Sequence, residues 1–197
     1  MSSQDHEQVS IYPFSEERRE ELLSKAGECV FNWTTKDGWA VGVVHAFVWH
    51  EGRAWITCGV HRHRVSALRR DPRCSVVISG STVPKGPNGS ITIKGRAIIH
   101  DDEETKRWFY PALARGPYGR RGGEMTPEAE EAATAFEERL NSPLRIIIEI
   151  VPVKWITLDS DKMAKDTVGQ LADEERGPPL DSDAKRLPEE LKRRGLA

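Results

Sequence analysis

A cluster of cationic side chains is the part of this sequence with the clearest chemical potential. The stretch GVHRHRVSALRRDPR, residues 59–73, carries five arginines and two histidines around a single acid, Asp71. The whole chain is almost neutral, with a formal net charge of −2 over 197 residues. Four explanations are open for such a cluster: a solvated helix face, a nucleic-acid patch, a metal site, or a cradle for a phosphate.

A short helix is predicted to run through the cluster. Pro72 is a poor residue for a helix interior, and the residue before a proline is biased away from the helical region, so the helix should span about Arg62 to Arg70. Val65 and Leu68 are three residues apart and share a face that can pack on a core. This placement separates the cations into two groups at the two ends of the helix.

The two groups differ in how well they suit the helix dipole. The C-terminal group favours the dipole and needs no further role. It consists of Arg69, Arg70 and Arg73. The N-terminal group opposes the dipole, but together with free backbone N–H groups it would form an anion site, which an isolated phosphate fits. It consists of His61, Arg62, His63 and Arg64.

A metal site at the same histidines is disfavoured. A His-x-His pair can bind zinc or copper on a strand, where alternate residues share a face, but it is less apt at the start of a helix. The flanking arginines would repel a cation, and Cys58 is the one nearby thiol. We therefore expect no metal in this protein.

The remaining pattern predicts mainly strands. Strands are expected over residues 29–35, 39–49, 53–58, 74–79, 90–100 and 144–158. Helices are expected over residues 15–26, 101–114 and 126–140, the first capped by Ser15 and the last by Thr126 before Pro127. Gly95 indicates a bulge within its strand. Six strands with hairpin turns and few helices indicate a closed or nearly closed antiparallel barrel.

The strand 39–49 is apolar on both faces, so its outer face needs a cover. A second copy of the chain is the simpler candidate, and the helix 126–140 is the alternative. The basic, glycine-rich loop 115–125 is either a mobile connection or a segment that closes over a substrate or an anionic cofactor tail.

Composition limits the class of protein. A nearly neutral chain lacks the strong positive charge typical of nucleic-acid-binding domains, and no apolar run is long enough to span a bilayer. The first residues show no signal pattern, and the three cysteines form no C-x-x-C, so we expect a cytoplasmic protein with reduced thiols. We expect an N-terminal helical segment (1–27), a cofactor-binding domain (28–163) and a charged, proline-rich tail (164–197).

Three segments taken in order carry a resemblance to a known family. "WITC", "HRHRVSALRRDPRCSVVI" and "SITIKGRAIIHDDEE" resemble the FMN-binding split-barrel family, which includes pyridoxamine 5′-phosphate oxidase and the flavin- or deazaflavin-dependent oxidoreductases. The family pattern L-x-x-(N/D)-P is matched by Leu68, Asp71 and Pro72. That match puts the family's phosphate-binding cationic pair on His63 and Arg64, with Arg62 just before. The resemblance covers roughly residues 28–158.

The resemblance implies a fold, a cofactor and a set of contacts. The fold is mainly β with flanking helices, an antiparallel six-stranded split β-barrel that forms a homodimer. FMN or a deazaflavin coenzyme would lie in a groove between the two barrels, and the protein would be an oxidoreductase acting on a small molecule. The implied cofactor contacts are Val43, Val44, His45, Ala46, Phe47, Thr57, Cys58, Arg62, His63, Arg64 and Ser90.

Each implied contact has its own part of the cofactor. Residues 43–47 would line the ring system, and Thr57 and Cys58 would meet the phosphate and ribityl chain. Arg64 would pair with the phosphate, and Ser90 occupies a position where oxidase relatives often carry a glutamine. No side chain stands out as an obligatory acid or base.

Departures from the family keep two alternatives open. Pyridoxamine phosphate oxidases usually end in an Arg-Leu-x-Pro terminus, whereas this chain ends PEELKRRGLA. The spacing of Arg62 and Arg64 is closer to the deazaflavin-using branch. Vitamin B6 oxidation is therefore one alternative, and a non-catalytic module that binds flavin or haem is the other.

Overall fold

The computed structural model describes residues 9–120 and 125–196, with only the backbone described for residues 117–120. Within these residues, seven strands form one antiparallel sheet in the order β2-β1-β5-β6-β7-β4-β3. The strands are β1 (Glu28–Thr34), β2 (Ala40–Ala46), β3 (Val48–His50), β4 (Arg53–Gly59), β5 (Arg73–Ser79), β6 (Gly89–His100) and β7 (Arg145–Asp159). The sheet is therefore one strand larger than the six expected.

The extra strand arises because the predicted strand 39–49 is interrupted at Phe47. β2 lies at one edge of the sheet and β3 at the other, yet this single residue joins them. Its side chain is fully buried, and its N–H donates to the carbonyl of Gly27 (3.3 Å). The prediction of one continuous strand is wrong because the chain leaves one edge here and begins the other. The sheet consequently curls on itself as a half-barrel.

Helices flank this half-barrel. They are α1 (Glu16–Lys25), α2 (His63–Arg70), α3 (Glu103–Arg120), α4 (Pro127–Leu140), α5 (Ser160–Thr167) and α6 (Asp181–Arg193). The hydroxyl of Ser15 accepts from the N–H of Arg18 (3.3 Å), and that of Thr126 accepts from Ala129 (3.2 Å). Both predicted caps are confirmed, and they satisfy N–H groups that a helix leaves open at its start.

α3 is longer than the predicted helix 101–114. Residues 115–120 of the predicted loop 115–125 are helical, and residues 121–124 lie outside the described residues. Arg115 pairs with Glu130 (2.6 Å) and Glu137 (2.7 Å) of α4. These ion pairs hold the end of α3 against α4, a tertiary contact that the glycines of the loop do not reveal.

The core has two layers. One fills the curled sheet with alternate residues of its strands, such as Phe31, Val76 and Ile93, all fully buried. The other lies between the sheet and α3 and centres on Phe109 and Ile147. The period of two in β1 and β5 is the pattern of a strand with one face in the core.

The predicted irregularity at Gly95 is confirmed. The pairing of β6 with β7 shifts register between Lys94 and Gly95. A Cβ atom at this glycine would lie 2.7 Å from Cγ2 of Ile150 and 2.8 Å from the carbonyl oxygen of Val151. Only glycine allows the two strands to approach this closely at the bulge.

The segment from residue 164 onward is partly attached to the rest of the chain. The expected boundary falls inside α5, and Leu171 beyond it is buried. The hydroxyl of Tyr12 donates to Asp166 (2.6 Å), and the N–H of Gly177 donates to the carbonyl of Ile11 (2.8 Å). By contrast, α6 has no buried residue. No helix in the described parts of the chain is both long and apolar enough to cross a membrane.

Candidate functional site

The start of α2 is built by local sequence. β4 ends at Gly59, and α2 begins at His63 with Arg62 as its N-cap in an extended conformation. The N–H of Asp71 donates to the carbonyl of Ala67 (2.9 Å) and ends the helix just before Pro72, as predicted. Since arginine is not a capping residue, no side chain hydrogen-bonds to the start of this helix.

Three buried side chains anchor α2 on the half-barrel. They are Val65, Ala67 and Leu68, of which the first and last were the predicted pair. The opposite side of the helix is exposed, so its first turn lies at the surface with its backbone and its cations accessible. α2 is therefore a fixed element that presents its N-terminal end to solvent.

Arg64 is the central cation of this site. It is half-buried, and its Cζ atom lies 5.3 Å from the centroid of the Trp33 ring. The guanidinium also contacts Nε2 of His45 at close range. Among the described residues no carboxylate pairs with it. The positive charge is thus positioned by two aromatic rings and left without a neutralising partner.

His45 does not add to that charge. Burial, and secondly the nearby Arg64 guanidinium, lower the pKa of His45 to about 4. The imidazole is therefore neutral near pH 7, and its Nε2 atom can accept a hydrogen bond from the guanidinium. A neutral partner orients Arg64 without cancelling its charge, which a carboxylate in the same position would do.

Two more arginines lie close to the end of β4. Burial raises the pKa of Cys58, while the charges of Arg64, Arg145 and Arg62 act in the opposite direction. The residue at position 145 lies directly opposite Gly59 in the pairing of β4 with β7. In the described part of the chain none of the three guanidiniums has a carboxylate partner, so their fields reinforce one another.

Arg145 was not predicted as a site residue. It is separated from β4 by more than eighty positions in the sequence, and only the strand register brings the two together. Trp33 was read only as a strand residue, because nothing local links it to α2. A cation that opens a predicted strand, directly after the sequence NSPL, was the one available signal for Arg145.

The cations at the other end of α2 have ordinary partners. Arg70 donates to the carbonyl of Thr34 (3.0 Å), and Arg73 pairs with Asp71 (2.6 Å). Arg69 is exposed. These contacts agree with the structural role expected for this group and set it apart from the start of the helix.

Other predicted contacts fall in different surroundings. The Thr57 hydroxyl donates to the carbonyl of Ile146 (2.7 Å), which commits it to the sheet, and Cys58 faces the core. Phe47 is also in the core. Ser90 pairs with Ser79, at the far end of β5 from the strand position that faces Trp33. The structure therefore does not bring Ser90 to the start of α2.

The strand residues 43–46 alternate between two faces. Val43 and His45 are half-buried, whereas Val44 and Ala46 are exposed on the outer face of β2. His61 and His63 are both exposed, and the described residues contain no group of three or more His, Cys, Asp or Glu side chains that could hold a metal ion. Only His45 of the strand residues contacts Arg64.

A curled antiparallel half-barrel with a short cationic helix after β4 is the architecture of the split-barrel proteins that the sequence resembles. Solved structures support this assignment of the fold. A conserved hypothetical protein from Mycobacterium tuberculosis is 18% identical, with a TM-score of 0.63 over 80% of this chain and 92% of that one. The chain thus has the fold of pyridoxamine 5′-phosphate oxidase-like split-barrel proteins.

Two further structures share the fold. A provisionally assigned pyridoxamine 5′-phosphate oxidase from Listeria innocua is 19% identical, with a TM-score of 0.51 over 73% of this chain and 98% of that one. An FAD-binding protein from Mesorhizobium loti is 14% identical, with a TM-score of 0.51 over 73% and 94%. No protein-family model matches the sequence, and no curated protein matches it.

Proposed function

We propose that this protein is an oxidoreductase that uses a flavin or a deazaflavin and binds the cofactor phosphate at the start of α2. A second copy of the chain would complete the cofactor groove, and the substrate would be a small molecule. The observation that carries this proposal is the Arg64 guanidinium, which is fixed by Trp33 and His45 and has no acidic partner among the described residues.

The residues at the start of α2 fit a phosphate in three respects. Arg64 offers a planar guanidinium, which suits bidentate hydrogen bonds to phosphate oxygens. No side chain caps the helix, so its first N–H groups and the positive pole of its dipole favour an anion. Arg62 and Arg145 add positive charge from the side. An uncharged ligand would gain little from this arrangement, whereas a phosphate gains from all three.

The strand β2 supplies a second part of the proposed site. It pairs only with β1 within the described residues, so one edge of its backbone has no strand beside it. Backbone groups of residues 43–46 on that edge are available for the polar atoms of a ring system. A bound flavin or deazaflavin supplies the hydride chemistry, and the chain binds and orients it.

The proposed second copy would cover an apolar row on the outer face of the sheet. This row crosses five strands in register and consists of Val44, Val30, Val77, Thr92 and Ile156. Val44 is 61% exposed and Ile156 is 47% exposed. A contiguous apolar row of this kind is typical of an interface, and a two-fold symmetric dimer is the commonest way to bury it.

Titration of the purified protein with FMN, FAD and a deazaflavin tests the proposal. Retention of a yellow cofactor with absorbance near ~450 nm would support a flavin, and retention of a ~420 nm band would support a deazaflavin. The bound cofactor should be bleached by a small-molecule reductant and recover with an acceptor. Failure of all three compounds to bind would overturn the proposal.

A haem-type spectrum would point instead to the non-catalytic binding module. A flavin that binds but never exchanges electrons with any donor would favour the same alternative. Oxidation of pyridoxamine 5′-phosphate by the loaded protein would identify the remaining alternative, the B6 oxidase. Each outcome has its own spectral or chemical readout.

A further inference from the structure

A cavity of about 550 Å³ lies between α3 and α4, away from the start of α2. It is polar on all sides. Its lining includes Lys106, Arg107 and Tyr110 from α3, and Thr134, Glu138 and Asn141 from the α4 side. This volume is within the range of small-molecule sites, and the lining offers both donors and acceptors.

Tyr110 has a hydroxyl without a partner. Its residue is only 3% exposed, and its oxygen is the one buried side-chain N or O atom without a hydrogen bond among the described residues. Burial is the main cause that raises the pKa of this phenol, so it remains a protonated donor near pH 7. Native proteins rarely leave such a donor unsatisfied, because an unpaired buried polar group is costly.

Two charges of the cavity are also without partners. Most of the lining charges are neutralised: Lys106 pairs with Asp101 and Glu103 (3.0 Å each), and Arg115 pairs with the two α4 glutamates already named. Within the part of the chain that is described, Arg107 on α3 and Glu138 on α4 form no ion pair. The cavity thus offers one unneutralised cation, one unneutralised anion and one phenol donor.

We propose that the cavity between α3 and α4 binds a small zwitterion of the amino-acid type. The carboxylate of the ligand would accept a hydrogen bond from Tyr110 and pair with Arg107, and its ammonium group would pair with Glu138. A simple anion would leave Glu138 unneutralised, and a simple cation would leave Arg107 and the phenol unsatisfied. A zwitterion is the class of ligand that complements all three groups.

Equilibrium dialysis of the full-length protein against each proteinogenic amino acid at millimolar concentration tests this proposal. At least one should be retained stoichiometrically. Its N-acetyl derivative, which lacks the ammonium charge, and its methyl ester, which lacks the carboxylate, should each bind about tenfold more weakly or worse. Retention of no amino acid, or equal retention of all three forms, would overturn the proposal.

Tyr110→Phe provides the sharper variant. Because the hydroxyl is unpartnered in the free protein, its removal should leave the melting temperature unchanged or slightly raised. It should weaken the retained amino acid about tenfold, because a hydrogen bond to a charged carboxylate is lost. The matched control is Tyr12→Phe, which removes a hydroxyl bonded to Asp166. It should lower the melting temperature and leave amino-acid binding unchanged.

Glu138→Gln separates the role of charge from that of packing. This variant should weaken the zwitterion and leave the binding of its methyl-ester and N-acetyl forms to differ less from each other. If Tyr110→Phe lowered the melting temperature as Tyr12→Phe does and left binding unchanged, the phenol would be structural and the proposal would be wrong.

Discussion

The guanidinium carbon of Arg64 lies 5.3 Å from the centroid of the Trp33 ring. That ring is only 8% exposed and belongs to the barrel core, so it cannot follow a moving side chain. The aromatic face therefore fixes the cation in one orientation at the start of α2. A cation that is already oriented loses little further freedom when an anion binds. This pairing is the reason to expect a defined phosphate site here rather than a diffuse basic surface.

Removal of Arg64 should weaken cofactor binding without loss of the fold. Arg64→Ala deletes a charge-assisted hydrogen bond worth roughly 1.5–3 kcal/mol, so we expect a ten- to hundredfold loss of affinity. Arg69→Ala, at the other end of α2, should change affinity little, because that side chain is exposed and away from the helix start. Titrations followed by cofactor absorbance, with circular dichroism as the check on folding, measure both effects.

The phosphate itself provides the control for this prediction. A riboflavin-type analogue without phosphate should bind poorly to the original protein and be indifferent to Arg64→Ala. If the two arginine variants behaved alike, or if loss of the phosphate made no difference, the cluster would be a solvated basic face.

Assembly should depend on the apolar row of the outer sheet face. Val44→Lys places a charge in the middle of that row and should shift the protein from dimer to monomer at micromolar concentration, as measured by light scattering. Val168→Lys is the matched control, since its valine is 63% exposed, against 61% for Val44, but lies at the end of α5. A monomeric original protein would contradict the proposed dimer directly.

Acid should destabilise the protein through His45. The pKa of His45 is lowered to about 4 by burial first and by the Arg64 charge second, from an ordinary value of 6.5. Between these values the unfolded chain binds a proton that the folded chain does not, so stability is lost as the pH falls. Allowing for partial exposure of the ring, we expect a loss of about 1–2 kcal/mol between about pH 7 and pH 4.5.

Comparison with His45→Gln isolates this contribution. Glutamine retains an acceptor for Arg64 but does not titrate, so urea unfolding of this variant should show a smaller loss over the same pH range. Carboxylates such as Asp71, whose pKa is lowered to about 2 chiefly by its hydrogen bonds with Arg73, titrate in both proteins and cancel. An equal loss in both would assign the pH dependence to other groups.

The C-terminal segment should divide into two parts of different importance. Truncation after Pro179 removes α6, which buries no residue, and should cost less than about 0.5 kcal/mol. Truncation after Lys165 also removes buried Leu171 and the Asp166 partner of Tyr12, and should cost about 2–4 kcal/mol while the half-barrel still folds. Thermal unfolding of both forms measures the difference. Loss of soluble protein in the longer truncation would show that the domain boundary is misplaced.

Local chemistry made much of the fold predictable. Helix ends were located by Ser15, Thr126 and Pro72, because caps and prolines act on their immediate neighbours. The bulge at Gly95 followed from a glycine within a strand pattern, and the two groups of cations on α2 followed from the helix dipole. In each case the deciding interaction spans only a few residues, so the sequence contains it.

The sequence by itself determined the strands, their turns, and the presence of an unsuited cation group at the start of a short helix. Only the tertiary structure decided that the chain changes sheet edge at Phe47 and that Trp33, His45 and Arg145 surround this helix start. It also decided that Ser90 lies elsewhere. The physical reason is that strand order and register join residues far apart in sequence through burial and backbone pairing. Periodicity gives the face of each strand but not its neighbour.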